Sequence, residues 1–409
     1  MYNGEQNTLL HNPTGKKRIQ LAFLLGLLAI LGPLNIDMYL PAFPGIAGDL
    51  GTSATMVQAS LTSCLLGLAF GQVVIGPISD GQGRRKPLLI ATSFFALASV
   101  LCAFAPNIAT LIAARFVQGF TAAAGVVLSR AVVRDVFSGK ALTKFFALLM
   151  VINAVAPMMA PIAGGAILSF EFTNWQSIFI FLAMIGVLIV VIIHLMLKET
   201  LPPENRIPSS LGATIMTMGN LLKDRSFIGY ALVVGFVHGG SFAYVSGTPF
   251  IYQEIYGVSP QTFSILFGIN GMAIIIGSFV IGRFGGIIHE RKLLQTAVTI
   301  ALVTTFILLI MTMIEGPLAS IVILIFIYMI TMGMVVTSTF TLGMSKQGHR
   351  AGSASAVLGT LPLTLGAIFT PLAGINESSA VPMGLILFST VLIGFAVFHL
   401  LIKKEPAED

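Results

Sequence analysis

The stretch that decides the fold is GPISDGQGRRK, residues 76–86, where charge returns abruptly to a chain that has been almost without it. One acid and three bases fall within seven positions there, whereas residues 19–79 contain only two charged side chains, Asp37 and Asp49. A charged side chain at the centre of a bilayer costs about 2.5–3.5 kcal/mol. Charged loops between long uncharged stretches therefore indicate a chain that crosses a membrane repeatedly.

The composition supports the same interpretation along the whole sequence. Of the 409 residues, 56% are hydrophobic and 9% are charged, and the mean hydropathy is +0.94, whereas soluble domains carry about 25% charged residues. Nearly uncharged stretches recur, each long enough for the roughly 20 residues that one helical crossing needs. We predict an all-α membrane protein with twelve transmembrane helices at 19–43, 53–79, 87–105, 108–134, 144–169, 174–197, 226–251, 259–282, 293–314, 317–343, 351–375 and 380–402.

The distribution of bases predicts the orientation of these helices. With both termini in the cytoplasm, every Lys and Arg except Arg115 falls at a cytoplasmic end, as the positive-inside rule requires. A polar, proline-containing segment divides six helices from six, which is typical of a duplicated transporter architecture. The predicted parts are a cytoplasmic tail (1–18), an N-terminal six-helix half (19–197), a cytoplasmic linker (198–225), a C-terminal six-helix half (226–402) and a second tail (403–409).

Asp37 and Arg115 are the only acid and base placed well inside the predicted membrane region. At 1.5 Å per residue, both lie roughly 9–10 Å below the outer ends of their helices, so we expect them at one level. Burial disfavours a charged carboxylate and a nearby guanidinium favours it, so the pair is a candidate site for proton exchange. The alternative is a fixed ion pair that joins the first and fourth helices.

Other polar side chains inside the spans are candidates for lining a substrate cavity. His238 is the second titratable candidate, although a lone intramembrane histidine is more often a packing residue. Cys64 and Cys102 lie in apolar runs and are expected to pack as small core residues. The remaining cavity candidates are Asn35, Gln118, Asn153, Tyr244 and Asn270.

An enzyme or a channel is the alternative from a different class. The six histidines are scattered without metal-ligand spacing, and no phosphate-binding glycine loop is present, so we expect neither a metal site nor direct use of ATP. A channel would more naturally show repeated filter elements or rings of charge.

The charged loop resembles a family signature. On spacing alone, the loop could equally be a simple turn between two helices, whose bases only set the orientation of those helices in the membrane. Its pattern, G-x-x-x-D-x-x-G-R-R-K, resembles the loop between helices 2 and 3 of the major facilitator superfamily, with Gly81 in place of the usual base. The resemblance implies the major facilitator fold and a latch that holds the two halves together on the cytoplasmic side, with Asp80 in a charge network with Arg130 or Arg134. The matching residues are Gly76, Asp80, Gly83, Arg84, Arg85 and Lys86.

Further motifs narrow the resemblance. RFVQGFTAAA (115–124) resembles the helix-4 motif of proton-coupled members. NAVAPMMAPIAGG (153–165) resembles the helix-5 antiporter motif through Pro157, Pro161, Gly164 and Gly165, although prolines and small residues alone predict only a bent, closely packed face. LNIDMYLPAFP (34–44) and KETLPPE (198–204) resemble the bicyclomycin/chloramphenicol-resistance (Bcr/CflA) branch.

This resemblance implies a proton-coupled exporter of drugs or antibiotics in the bacterial cytoplasmic membrane, moving drug out and protons in by alternating access. Asp37 and Arg115 would couple the proton, and the proton gradient would replace any cofactor. The expected partners are a lipophilic small molecule, protons and the lipid bilayer. We expect no nucleic acid and a monomeric state. A proton-coupled carrier of a small metabolite with the same fold is the alternative.

The topology can be tested by cysteine labelling. Single cysteines introduced at Asp49, Glu171 and Glu315 are expected to react with an impermeant thiol reagent added to intact cells, because these positions lie in predicted outer connections. A cysteine at Ser209, in the predicted linker, is expected to stay unlabelled. Labelling at position 209 would contradict the orientation.

Overall fold

The computed structural model describes residues 13–206, 211–345, 347 and 351–402, so most of the tail 1–18 and all of the tail 403–409 lie outside the described residues. Twelve helical segments within the described part are long and apolar enough to cross a membrane, which confirms the predicted fold class. The α-helices are α1 (Gly15–Asp37), α2 (Phe43–Asp49), α3 (Ala54–Gln82), α4 (Arg85–Ala103), α5 (Ile108–Val136), α6 (Gly139–Ile167), α7 (Trp175–Met196), α8 (Leu211–Leu221), α9 (Arg225–Phe250), α10 (Pro260–Phe284), α11 (Glu290–Met313), α12 (Leu318–Met344), α13 (Ala351–Phe369) and α14 (Val381–Leu401).

The first predicted helix is divided in the structure. α1 ends at Asp37, and a 3-10 turn at Leu40–Ala42 leads into the short helix α2. Pro41 and Pro44 each stand in the first turn of the element that follows, where a missing N–H costs nothing. Asp37 therefore sits at the C-terminal end of a helix, next to an irregular backbone, rather than in the middle of a continuous span.

Several other bounds also differ from the prediction. α6 begins at Gly139, five residues before the predicted span, and α8 forms inside the segment predicted as a linker. Hydropathy marks where a helix enters apolar surroundings, whereas backbone hydrogen bonding continues through the amphipathic turns beyond.

Close helix crossing in the N-terminal half depends on small residues. Gly67 of α3 packs against the backbone at Phe116, and Gly119 of α5 packs against the carbonyl of Cys64. A methyl group at either position would overlap backbone atoms of the other helix. Without a hydrophobic driving force between helices in lipid, such backbone contact is a main source of attraction. It brings α5, and with it Arg115, deep into the bundle.

The two halves meet at the ends predicted to face outside, which we call the outer ends. Among the described residues, the side-chain hydrogen bonds between the halves cluster there. Most of them join the outer part of α3 to α9, α13 and the segment that follows α13, and one joins the 3-10 turn after α1 to the segment that follows α9. This contact region between the halves, which we call the seam, is therefore closed at the outer ends. These bonds run from Thr55 Oγ1 to Gly374 O (2.8 Å), Gln58 Nε2 to Ser246 O (3.1 Å), Thr62 Oγ1 to Ala367 O (3.2 Å), Gln253 Nε2 to Pro41 O (3.2 Å), and Ala54 N to Glu377 Oε1 (2.7 Å).

The predicted helix-5 motif lies at this seam. Gly164 of α6 faces the carbonyl oxygen of Met38, just after the end of α1, and Gly165 faces Ser264 of α10 in the other half. A Cβ at Gly165 would overlap the Ser264 side chain and come within 3.4 Å of the Pro260 carbonyl oxygen. The motif is thus a packing face that lets the outer ends of the two halves approach. Its antiporter role stays a prediction.

Adding one methyl group at this seam should loosen it. We expect Gly165→Ala to open the outer ends, because α6 and α10 can no longer approach. The readout is the labelling rate of a cysteine introduced at Thr55, which should rise several-fold with an impermeant reagent. Gly45→Ala is the matched control, since a Cβ there meets no atom within 4 Å. Equal labelling in both variants would show that Gly165 does not hold the seam.

Candidate functional site

The centre of the N-terminal half is a buried guanidinium. Arg115 has no exposed surface. Its NH1 atom donates to Asn35 Oδ1 (2.6 Å) and Gln118 Oε1 (2.5 Å), and NH2 donates to the backbone oxygen of Asn35 (2.7 Å). The guanidinium carbon also lies 4.1 Å from the centroid of the Tyr39 ring. Amide oxygens and an aromatic face therefore compensate this charge without a carboxylate.

The network extends from Arg115 into two neighbouring helices. Gln118 Nε2 donates to Ser99 Oγ of α4 at 2.7 Å, and Asn35 Nδ2 donates to Cys64 Sγ of α3 at 3.0 Å. Cys102 Sγ lies 3.6 Å from Gln118 Oε1. Sequence reasoning missed Ser99 and Tyr39, and it assigned both cysteines to packing alone. Only the cross-helix register, which spacing along one helix does not reveal, places them here.

Asp37 does not join this network. The structure shows no nitrogen of Arg115 within 4.0 Å of the Asp37 carboxylate, and ion pairs among the described residues involve Arg84 only. The fixed ion pair is therefore not found among the described residues. The reason is helical geometry. Asn35 contacts Arg115, and two residues along an α-helix turn by roughly 200°, so the Asp37 side chain leaves α1 in a different direction.

Asp37 is 6% exposed and has no hydrogen-bond partner among the described contacts. It lies within electrostatic range of Cys64 of α3, which is bonded to Asn35, and of Tyr244 of α9 in the C-terminal half. The predicted coupling acid thus lies near side chains of both halves.

A second polar cluster lies in the C-terminal half. Asn270 Nδ2 of α10 donates to the Tyr244 hydroxyl at 2.8 Å, and Phe267 stacks on the Tyr244 ring at 5.2 Å. Asn270 and Tyr244 are each 2% exposed, and Asn270 Oδ1 is buried without a partner. A buried acceptor without a donor is costly, so this atom is suited to receive an N–H or O–H group.

Two further cavity candidates share no described hydrogen bond with these clusters. Asn153 donates its Nδ2 to the Leu149 carbonyl in its own helix at 2.8 Å. The His238 ring stacks on Phe242 at 5.7 Å. Both side chains are partly exposed.

The predicted latch has different partners from those expected. Asp80 pairs with Arg84 (2.5 Å) rather than with Arg130 or Arg134, and Arg84 Nε donates to Asp135 Oδ2 at 2.9 Å. Arg84 follows the turn at Gly83, where φ is +92°, and the i, i+4 spacing places it directly against Asp80. Burial alone lowers the pKa of Arg84, but the hydrogen bonds and charges of Asp135 and Asp80 outweigh it and raise this pKa.

The same loop is attached to the start of the linker. Glu199 accepts the backbone N–H of Arg84 (2.7 Å) and of Arg85 (3.2 Å), which caps the N-terminus of α4. Arg85 in turn donates to the carbonyls of Leu197 (2.7 Å) and His194 (3.0 Å) at the end of α7. These described contacts of the latch lie within the N-terminal half and its adjoining linker. A bridge to the C-terminal half stays a prediction.

Comparison with known proteins decides the family. A family model described as Major Facilitator Superfamily matches residues 25–371. The chain belongs to this superfamily. It is 69% identical over 401 residues (98% of this chain, 100% of the relative) to YdgK of Bacillus subtilis (strain 168), named as an uncharacterised MFS-type transporter. It is 31% identical over 382 residues (93% of this chain, 96% of the relative) to a bicyclomycin resistance protein homologue of Haemophilus influenzae.

The solved structure of a mutant of the nucleoside transporter NupG has a TM-score of 0.76 at 12% identity, covering 95% of this chain and 100% of that one. The major facilitator fold and the resemblance to bicyclomycin-resistance proteins are confirmed. The chain is a multi-pass membrane transporter and not an enzyme.

The two intramembrane charges should differ in what they contribute to stability. Arg115→Ala removes the donors of three hydrogen bonds and leaves buried acceptors, so we expect a loss of about 3 kcal/mol or more in unfolding free energy. Asp37→Asn should change it by less than about 1 kcal/mol, since no described partner is lost. Thermal unfolding of the purified proteins measures both, with the exposed Arg134→Ala as control on the same helix. Equal losses for Arg115→Ala and Arg134→Ala would contradict this network.

Proposed function

We propose that this transporter exports lipophilic drugs across the bacterial cytoplasmic membrane in exchange for protons, with Asp37 as the proton carrier. The observation that supports this most is a buried carboxylate without a described partner, within electrostatic range of Tyr244 in the other half of an alternating-access fold. Intramembrane acids are costly and are expected to serve a function. The name of the relative, a bicyclomycin resistance protein homologue, supports a drug as the cargo.

The closed outer seam defines one step of the cycle. An ionised carboxylate without a partner in apolar surroundings is unfavourable, so the neutral, protonated form of Asp37 is favoured while the outer ends are closed. This state carries the proton inward. A drug that enters from the cytoplasm and favours the ionised carboxylate must expel the proton, and by linkage the proton must weaken drug binding equally.

Arg115 acts in this scheme as a positioning residue. Its bond to the Asn35 carbonyl fixes the last turn of α1 two residues before Asp37, and amide oxygens stabilise its charge by accepting hydrogen bonds. The guanidinium therefore holds the helix end without occupying the carboxylate, which stays available for a proton or a substrate.

The C-terminal cluster indicates the chemistry of the substrate. The stacked rings of Tyr244 and Phe267 offer an aromatic surface, and Asn270 Oδ1 offers one free acceptor. A mostly apolar ligand with one N–H or O–H donor fits this set. Asp37 is the single intramembrane carboxylate near this cluster, and one carboxylate fits a neutral or singly cationic drug better than a dication.

Asp37→Asn fixes a neutral side chain and should abolish efflux driven by a pH gradient in everted vesicles while leaving expression unchanged. Glu171→Gln, an exposed acid near the outer surface, is the control and should transport normally. The cargo is identified with a drug-susceptibility panel in an efflux-deficient host, with and without an uncoupler. Protection that is insensitive to the uncoupler would contradict proton coupling. A lack of protection against every drug, together with pH-driven metabolite transport, would favour the metabolite carrier.

A further inference from the structure

A large crevice lies at the cytoplasmic end of the N-terminal half, away from both polar clusters. It has a volume of about 740 Å³ and lies between the inner ends of α1 and α7, with the end of α5 at its base. Leu24 and Val136 form a buried apolar floor, and Leu21 lies above them. The size is within the range of roughly 300–1,000 Å³ that holds drug-sized ligands.

The packing of the helices explains why the crevice is there. α1 and its extension contact α7 at the outer end, where Tyr39 lies 5.5 Å from Phe179 and Trp175 Nε1 donates to Asp49 at 2.9 Å. At the inner end, the last turn of α7 is instead held by Arg85 of α4. The described residues therefore leave the space between the inner ends of α1 and α7 unfilled.

The rim of the crevice is basic. Lys17 of α1 and Lys198 just after α7 line it, and both are exposed. The one acid of the lining, Glu199, already accepts backbone N–H groups at the start of α4. Its carboxylate is thus occupied at the start of α4, and the two lysines outnumber it and can attract an anion at the predicted cytoplasmic surface.

One wall of the crevice is apolar and exposed. Leu195 is 74% and Met196 is 43% exposed at the end of α7. Water gives no favourable contact to such side chains, whereas an acyl chain does. A basic rim, an apolar wall and an apolar floor together fit an amphiphile that carries a negative charge at one end.

We propose that this crevice binds one anionic phospholipid of the inner leaflet, with its phosphate between Lys17 and Lys198 and its acyl chains along Leu21, Leu195 and Met196. Basic pockets between transmembrane helices on the cytoplasmic side suit acidic lipid head groups. The lipid would fill the gap between α1 and α7 and so stabilise the inner end of the helix that carries Asp37. This proposal does not depend on which cargo the transporter carries.

The test compares lipids on the purified full-length protein by native mass spectrometry. Phosphatidylglycerol should be retained in preference to phosphatidylethanolamine with the same acyl chains. The double substitution Lys17→Gln/Lys198→Gln should weaken phosphatidylglycerol binding by roughly tenfold or more, since each base near an anionic surface contributes about 1 kcal/mol. Lys223→Gln/Lys292→Gln, which removes two exposed bases elsewhere on the cytoplasmic side, is the matched control and should bind like wild type.

A second comparison separates a lipid from a free anion. Phosphatidylglycerol should raise the melting temperature of the wild-type protein, and millimolar inorganic phosphate should not. Leu195→Gln, at an exposed position, should lower phosphatidylglycerol retention with the lysines intact. Equal retention in the Lys17/Lys198 and control variants would overturn the proposal. Stabilisation by phosphate equal to that by the lipid would replace it with a simple anion site.

Discussion

The structure depends on how the fold satisfies one permanent charge inside the membrane. Arg115 cannot lose its proton under ordinary conditions, so the donors it buries need acceptors within the protein. Asn35 and Gln118 supply acceptors for NH1 and NH2, and Tyr39 covers the guanidinium with its ring, whereas Nε is buried without a hydrogen-bond partner. These hydrogen bonds join α1 to α5, and the bond from Gln118 to Ser99 joins α5 to α4. The close crossing of α3 and α5 at Gly67 and Gly119 makes room for them.

Asp37 is the second intramembrane charge, and unlike Arg115 it has no described hydrogen-bond partner. The end of α1 places Asn35 in contact with Arg115 and leaves Asp37 without a described partner, within electrostatic range of Cys64 and of Tyr244 in the C-terminal half. One side chain is therefore held by hydrogen bonds, and the other is left with a protonation state that can respond to a ligand. The two intramembrane charges thus have separate tasks in the proposed cycle, since Arg115 fixes the position of the helix end and Asp37 carries the proton.

Much of this arrangement could be predicted from the sequence, and the failures have identifiable causes. Hydropathy predicted the twelve spans that the described residues form. The rise per residue predicts how deep a side chain lies in the membrane, but it does not predict the direction in which the side chain leaves the helix. Spacing therefore could not show that Asn35, and not Asp37, contacts Arg115. The partner of Asp80 was also missed, because the turn at Gly83 brings the nearby Arg84 closer than the more distant Arg130 or Arg134. The crevice between α1 and α7 could not be predicted, since it depends on how two helices diverge.

The central claim is that substrate and proton compete at Asp37. The most direct measurement is the release of protons when a transported drug is added to the purified protein in weak buffer. Wild-type protein should release protons as drug binds, and Asp37→Asn should release none while remaining folded. Proton release of equal size from Asp37→Asn would contradict the account and move the coupling site elsewhere, with His238 the next candidate.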